Sequence, residues 1–101
     1  MRLDIHLSKD KFEAELRERL TSSDLGEFRE LLAQIRQSGR QSVVLDLSDL
    51  QWIDSAGLGM LILAKETADK AELELVLRSP KGHVRSLLEL GRFDKIFTIE
   101  A

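Results

Sequence analysis

The chain contains no cysteine. Disulfides, thiol catalysis and cysteine-based zinc sites are therefore excluded. Aromatic residues make up only 5% of it, so Leu, Ile and Val must build the core of a sequence that is 43% apolar. An excess of positive charge is missing too: 15 Lys and Arg stand against 18 Asp and Glu, a net charge of −3. Binding to nucleic acid needs a basic face, so no nucleic-acid partner is expected. The longest apolar stretch, Ala56 to Ala64, is about half of a membrane span. The opening Met1-Arg2-Leu3-Asp4 has no secretory pattern. The expectation is a cytoplasmic protein without membrane insertion, with one domain over 1–101.

What is present is an ordered alternation of strand and helix patterns. Leu3, Ile5 and Leu7 alternate with polar residues, as on a half-buried strand. Phe12, Ala14, Leu16 and Leu20 follow with period two, broken at Glu18, and predict a second strand antiparallel to the first. Asp24, with Glu27 three residues on, reads as a capping pair for a helix whose stripe is Leu25, Phe28, Leu31, Leu32 and Ile35. Ser42 to Leu47 is a near-continuous apolar run, the mark of a central strand. A helix is predicted from Ser55 to about Lys70, with Glu66 and Lys70 as an i,i+4 pair, and a strand around Leu73, Leu75 and Leu77. Ser79-Pro80 reads as the cap and first turn of a short helix ending at Gly91, and Ile96–Ile99 as a last strand. The implied fold is α/β, a mixed four- to five-stranded sheet with helices mainly on one side.

The whole is organised around Asp54-Ser55-Ala56-Gly57-Leu58-Gly59, a polar turn between a buried strand and a helix. Such a turn gathers free backbone N–H groups and suits a phosphate. Ser55 has two readings here, a helix N-cap or a phosphoacceptor, and the two roles are compatible. Asp54 would bond the N–H groups of the turn or orient Ser55. Asp46, inside an apolar strand, reads as a satisfied buried carboxylate. Trp52, the only tryptophan, is either a partner anchor or packing at the sheet end, and Leu58 and Met60 share that ambiguity. Enzyme readings fail. His6 and His83 fall in different elements, Ser55 lacks the Gly-x-Ser-x-Gly elbow, and Gly57-Leu58-Gly59 is neither a Walker loop nor a dinucleotide fingerprint. A receiver-like site would need an acidic pair in the first strand, which is absent. No catalytic residue, cofactor or metal is expected.

Val44-Leu45-Asp46-Leu47-Ser48, followed by Ile53-Asp54-Ser55-Ala56-Gly57-Leu58-Gly59, resembles the core of the STAS domain of bacterial anti-sigma factor antagonists. The resemblance runs from the strand at Phe12 to the strand at Ile99. It implies that Ser55 is the residue a partner kinase phosphorylates, supported by Asp54, Ala56, Gly57 and Asp46. It implies a partner surface of Trp52, Leu58, Gly59 and Met60, with Gly57 and Gly59 allowing close approach of a partner backbone. The implied partner is an anti-sigma factor and serine kinase with a histidine-kinase-like ATPase fold, bound when Ser55 is unphosphorylated so that the sigma factor is released. A PP2C-type phosphatase would reverse the modification. The alternative is a STAS subunit of another complex, such as a lipid-transport ATPase or a stress-sensing assembly, without a phosphoswitch. Two departures stand out: Glu18 where the family commonly has glycine, and Ala56 in place of a second hydroxyl residue. The chain ends where many members of the family add another helix.

Overall fold

Alternation decides the first two strands. In the computed structural model, which describes residues 1–101, β1 (Arg2–Leu7) pairs antiparallel with β2 (Lys11–Leu20). Phe12, Ala14, Leu16 and Leu20 turn inward and are buried. Then follow α1 (Leu25–Gln37), β3 (Ser42–Asp46), β4 (Leu50–Ile53), α2 (Ser55–Lys70), β5 (Glu74–Arg78), α3 (Gly82–Leu90) and β6 (Thr98–Glu100). The sheet order is β1-β2-β3-β5-β6, with β4 paired to β2. All pairs after the first are parallel, so the sheet is mixed. It has six strands, because the stretch before the polar turn forms β4 in its own right.

One core holds the helices to the sheet. Phe28, Leu31, Leu32 and Ile35 of α1, Met60, Leu61, Ala64 and Ala68 of α2, and Val84 and Leu88 of α3 meet Val43, Leu45, Leu75 and Leu77 in a single buried cluster. On the reverse face of the sheet, Arg78 faces Glu13, Asp46 and Glu100 across three neighbouring strands. Arg17 pairs with Glu15 on the same face, and that hydrogen bond holds the Glu15 carboxyl below its ordinary range.

Four local expectations are corrected. Asp24 stands at the N-cap position of α1 but is not a side-chain cap for it: its carboxylate accepts the Thr21 N–H at 2.8 Å and pairs with the Met1 ammonium at 2.8 Å. Ser79 is not a cap either. It lies at φ 54° and donates its N–H to the Glu100 carbonyl at 2.7 Å, so α3 begins only at Gly82. Ile96 and Phe97 close a 3-10 turn over Phe93–Lys95, where Phe97 stacks on Phe93 at 5.6 Å, and the last strand starts at Thr98. On α2 the ion pair is Lys65–Asp69 at 2.7 Å.

The break at Glu18 positions the site. Lys11 to Glu15 of β2 pair with β3, whereas Glu18 to Leu20 pair with β4, and the register shifts between Glu18 and Arg19. Glu18 sits at φ 69°, a left-handed conformation that favours glycine. This bulge lets one strand change partners. The Glu18 side chain is exposed and makes only a 3.7 Å approach to Arg2. Glu18→Gly is therefore expected to raise stability by up to about 1 kcal/mol. A urea melt checks this, and an unchanged or lower midpoint would contradict the strain assigned to Glu18.

Candidate functional site

The turn from β4 into α2 is built from the core outward. Ile53 is buried and ends β4. Asp54 follows in extended conformation, φ −107° and ψ −176°. Its N–H reaches the Leu20 carbonyl at 3.4 Å, its Oδ1 accepts the Gly57 N–H at 2.8 Å, and its carbonyl accepts the Leu58 N–H at 3.0 Å. Asp54 is thus the N-cap of α2.

Gly57 is where α2 meets β2. A Cβ at this position would stand 2.3 Å from the Leu20 carbonyl oxygen and 2.6 Å from Ile53 Cγ1. Gly57 is buried, so it makes room for the protein's own backbone and not for that of a partner. That corrects the expected role of Gly57. Gly59 lies on the exposed side, and a Cβ there would meet nothing within 4 Å.

Ser55 is the first residue of α2, and it is exposed. Because Asp54 holds the cap, the reading of Ser55 as N-cap is overturned. Its hydroxyl makes no hydrogen bond within the chain. The N–H groups of Ser55 and Ala56 open a helix of 16 residues and have no intrahelical acceptor. Such an end favours an added negative charge.

The other expected residues divide. Trp52 is 49% exposed, one strand end from Ser55. Its ring stacks on the His83 imidazole at 4.3 Å and 9° between planes. His83 Nε2 also lies 3.3 Å from the Ile53 carbonyl oxygen. His83 is the residue that sequence reasoning missed. No spacing links position 83 to position 52, and only the packing of α3 beside β4 brings them together. Leu58 is half-buried against the core. Ala56, Gly59 and Met60 line a shallow apolar hollow with Ser22, Leu25 and Leu63. Met60 is a core residue at 3% exposure, so it forms the floor of that hollow and offers a partner almost no surface of its own. Asp46 is the satisfied carboxylate expected, though half-buried: it accepts the Ser48 N–H at 2.9 Å and faces Arg78 at 3.9 Å, and what is corrected is its support of the phosphosite, since it makes no bond to the Asp54–Gly59 turn. No group of three or more His, Asp or Glu side chains is arranged to hold a metal ion. No helix is long and apolar enough to cross a membrane.

Comparison with known proteins places this geometry. The family model described as "Mlab, STAS domain" matches residues 6–99. The chain is 41% identical over 70 residues to BtrV of Bordetella bronchiseptica, a protein assigned as an anti-sigma factor antagonist. That alignment covers 69% of this chain and 60% of BtrV, so the chain spans less than two thirds of that relative. A Thermotoga maritima protein assigned to the same role superposes with a TM-score of 0.88 at 22% identity, over 98% of this chain and 86% of the other. The anti-sigma factor antagonist SpoIIAA superposes at 0.76 with 14% identity, over 99% of this chain and 88% of the other in its unphosphorylated form. The phosphorylated form of SpoIIAA, from Bacillus, gives the same TM-score.

The two glycines are expected to respond in opposite ways. Gly57→Ala should cost about 1–3 kcal/mol, because the added methyl meets a backbone carbonyl that cannot give way. Gly59→Ala should raise stability by up to about 1 kcal/mol through helix propensity alone. Urea melts of both variants check the pair, and similar midpoints would contradict the packing assigned to Gly57.

Proposed function

This chain belongs to the STAS domain family, and from that premise we propose that it is a phosphorylation-controlled anti-sigma factor antagonist with Ser55 as the switch. The supporting observation is the free, exposed Ser55 hydroxyl at the start of α2, left unengaged because Asp54 supplies the cap. A kinase needs such a hydroxyl, and the fold must tolerate a charge of about −2 once it is modified. The positive end of α2 supplies that tolerance, worth about 0.3–1 kcal/mol at an exposed site.

The inhibitory effect falls on the interface. In this reading the unphosphorylated face binds an anti-sigma factor that is also a serine kinase, with a histidine-kinase-like ATPase fold. The sigma factor is then released. Trp52, stacked on His83, forms the anchor of that face, and Leu58 and Gly59 flank the serine. Phosphorylation puts a dianion into a contact that had been built around a neutral hydroxyl. Burying an unpaired charge costs several kcal/mol, and about 1.4 kcal/mol is already tenfold in affinity. A PP2C-type phosphatase restores the binding form. The chain carries out no chemistry of its own in this scheme.

The test uses the Ser55→Ala chain as bait for its partner, followed by incubation of the wild type with the recovered protein and ATP. One phosphoryl group on Ser55 is expected. Recovery of subunits of a membrane ATPase alone, with Ser55 unmodified, would favour the STAS-subunit reading. Trp52→Ala is expected to weaken the recovered partner's binding by about tenfold or more. Calorimetric titration reads this, and unchanged affinity would remove Trp52 from the interface.

A further inference from the structure

We propose that Asp54 is a positioning residue for the phosphoacceptor: by holding the cap of α2, it keeps the Ser55 hydroxyl out of the helix end and open to a kinase. This rests on the phosphoswitch reading and extends it to a second residue. Asp and Ser are both good helix caps, and here they are adjacent. Only one of two neighbours can hold the cap. The cap residue needs extended backbone, while the residue after it is already helical.

The geometry shows which residue wins and why. Asp54 is extended, and its carboxylate takes the Gly57 N–H at 2.8 Å. Two backbone contacts lie beside it. Its N–H reaches the Leu20 carbonyl, and Gly57 is wedged against that same carbonyl. Ser55 is left as the first helical residue, with nothing bound to its hydroxyl.

Removing the carboxylate reverses the preference. Alanine caps poorly and serine caps well. The helix would then begin one residue later. Ser55 would become extended, and its Oγ would accept the Leu58 N–H, which now belongs to the Asp54 carbonyl. A hydroxyl held against its own backbone is a poorer phosphoacceptor. In the transfer itself, Ser55 Oγ bonds to the γ-phosphorus of ATP, the bond from that phosphorus to ADP breaks, and the hydroxyl proton passes to a base of the kinase or to water. Asp54 is needed in none of these steps. Its action is on where the hydroxyl stands.

Asp54→Ala and Asp54→Asn separate position from charge. Asparagine caps as aspartate does but carries no charge. Two measurements are made on each full chain: backbone and Ser55 Cα and Cβ chemical shifts by NMR, and the phosphorylation rate with the recovered kinase and ATP. In Asp54→Ala, Ser55 is expected to leave the helical shift range, the Gly57 amide, which loses its carboxylate acceptor, to exchange faster, and the rate to fall by about tenfold or more. In Asp54→Asn the helix should still start at Ser55, with a rate near that of the wild type. A helix start that does not move in Asp54→Ala overturns the proposal. So does a wild-type rate in that variant. A rate lost in Asp54→Asn with the helix start unmoved assigns the effect to charge and overturns it as well. Failure of the wild-type chain to accept phosphate would instead defeat the phosphoswitch reading. The chemical shifts still decide whether Asp54 keeps Ser55 out of the cap.

Discussion

The contact between Gly57 and the Leu20 carbonyl is the constraint on which the rest of this structure depends. A helix can come this close to a strand end only where a side chain is missing, and the space a Cβ would need is already filled by the Leu20 oxygen and Ile53. The same Leu20 carbonyl accepts the Asp54 N–H, so one atom lies against both α2 and the residue that caps it. Leu20 itself is in place because β2 bulges at Glu18 and changes partner from β3 to β4. Bulge, carbonyl, cap and serine form one chain of cause. The unfavourable backbone conformation at Glu18 lies at its beginning.

Within the turn each residue has a separate duty. Asp54 caps the helix through the Gly57 N–H, Gly57 packs inward, and Ser55 is left facing solvent. This separation suits a switch that acts by charge and not by refolding. The benefit of an anion at an exposed helix end is about 0.3–1 kcal/mol, and the cost of burying one unpaired at an interface is several kcal/mol. The domain should hardly register the modification, while a partner seated on Trp52 and Ser55 should be displaced by it. On the opposite face of the sheet, Arg78 gathers Glu13, Asp46 and Glu100.

Much of this was legible in the sequence. Period two marked β1 and β2, the apolar run marked β3, and the break at Glu18 was visible before its cause. The bounds of α2 were legible because an apolar run follows a polar turn directly. The family segment pointed to Ser55, but it could not say which of Asp54 and Ser55 capped the helix, since both types cap well. Gly57 and Gly59 look alike in sequence, and their difference lies in a carbonyl contributed by residue 20. Met60 belongs to an apolar helix start whose inward face cannot be told from its outward face without the sheet beneath it. His83 was illegible because its contact with the Ile53 carbonyl spans 30 residues, and its stack on Trp52 joins the same two distant elements. Ser79 and Ile96 were misplaced for a similar reason: Ser79 bonds to the distant Glu100 and the Ile96 segment folds onto Phe93, and both ties override local propensity.

The central claim is that a charge on Ser55 changes binding without changing the fold. The most direct measurement compares two full-length chains, one with serine and one with phosphoserine at position 55. Each is titrated against the anti-sigma factor and followed by NMR in isolation. The account predicts affinity reduced by about a hundredfold or more, with amide shifts confined to the neighbourhood of Trp52 to Gly59. Equal affinity of the two chains, or shifts spread through the core strands β3 and β5, would contradict it.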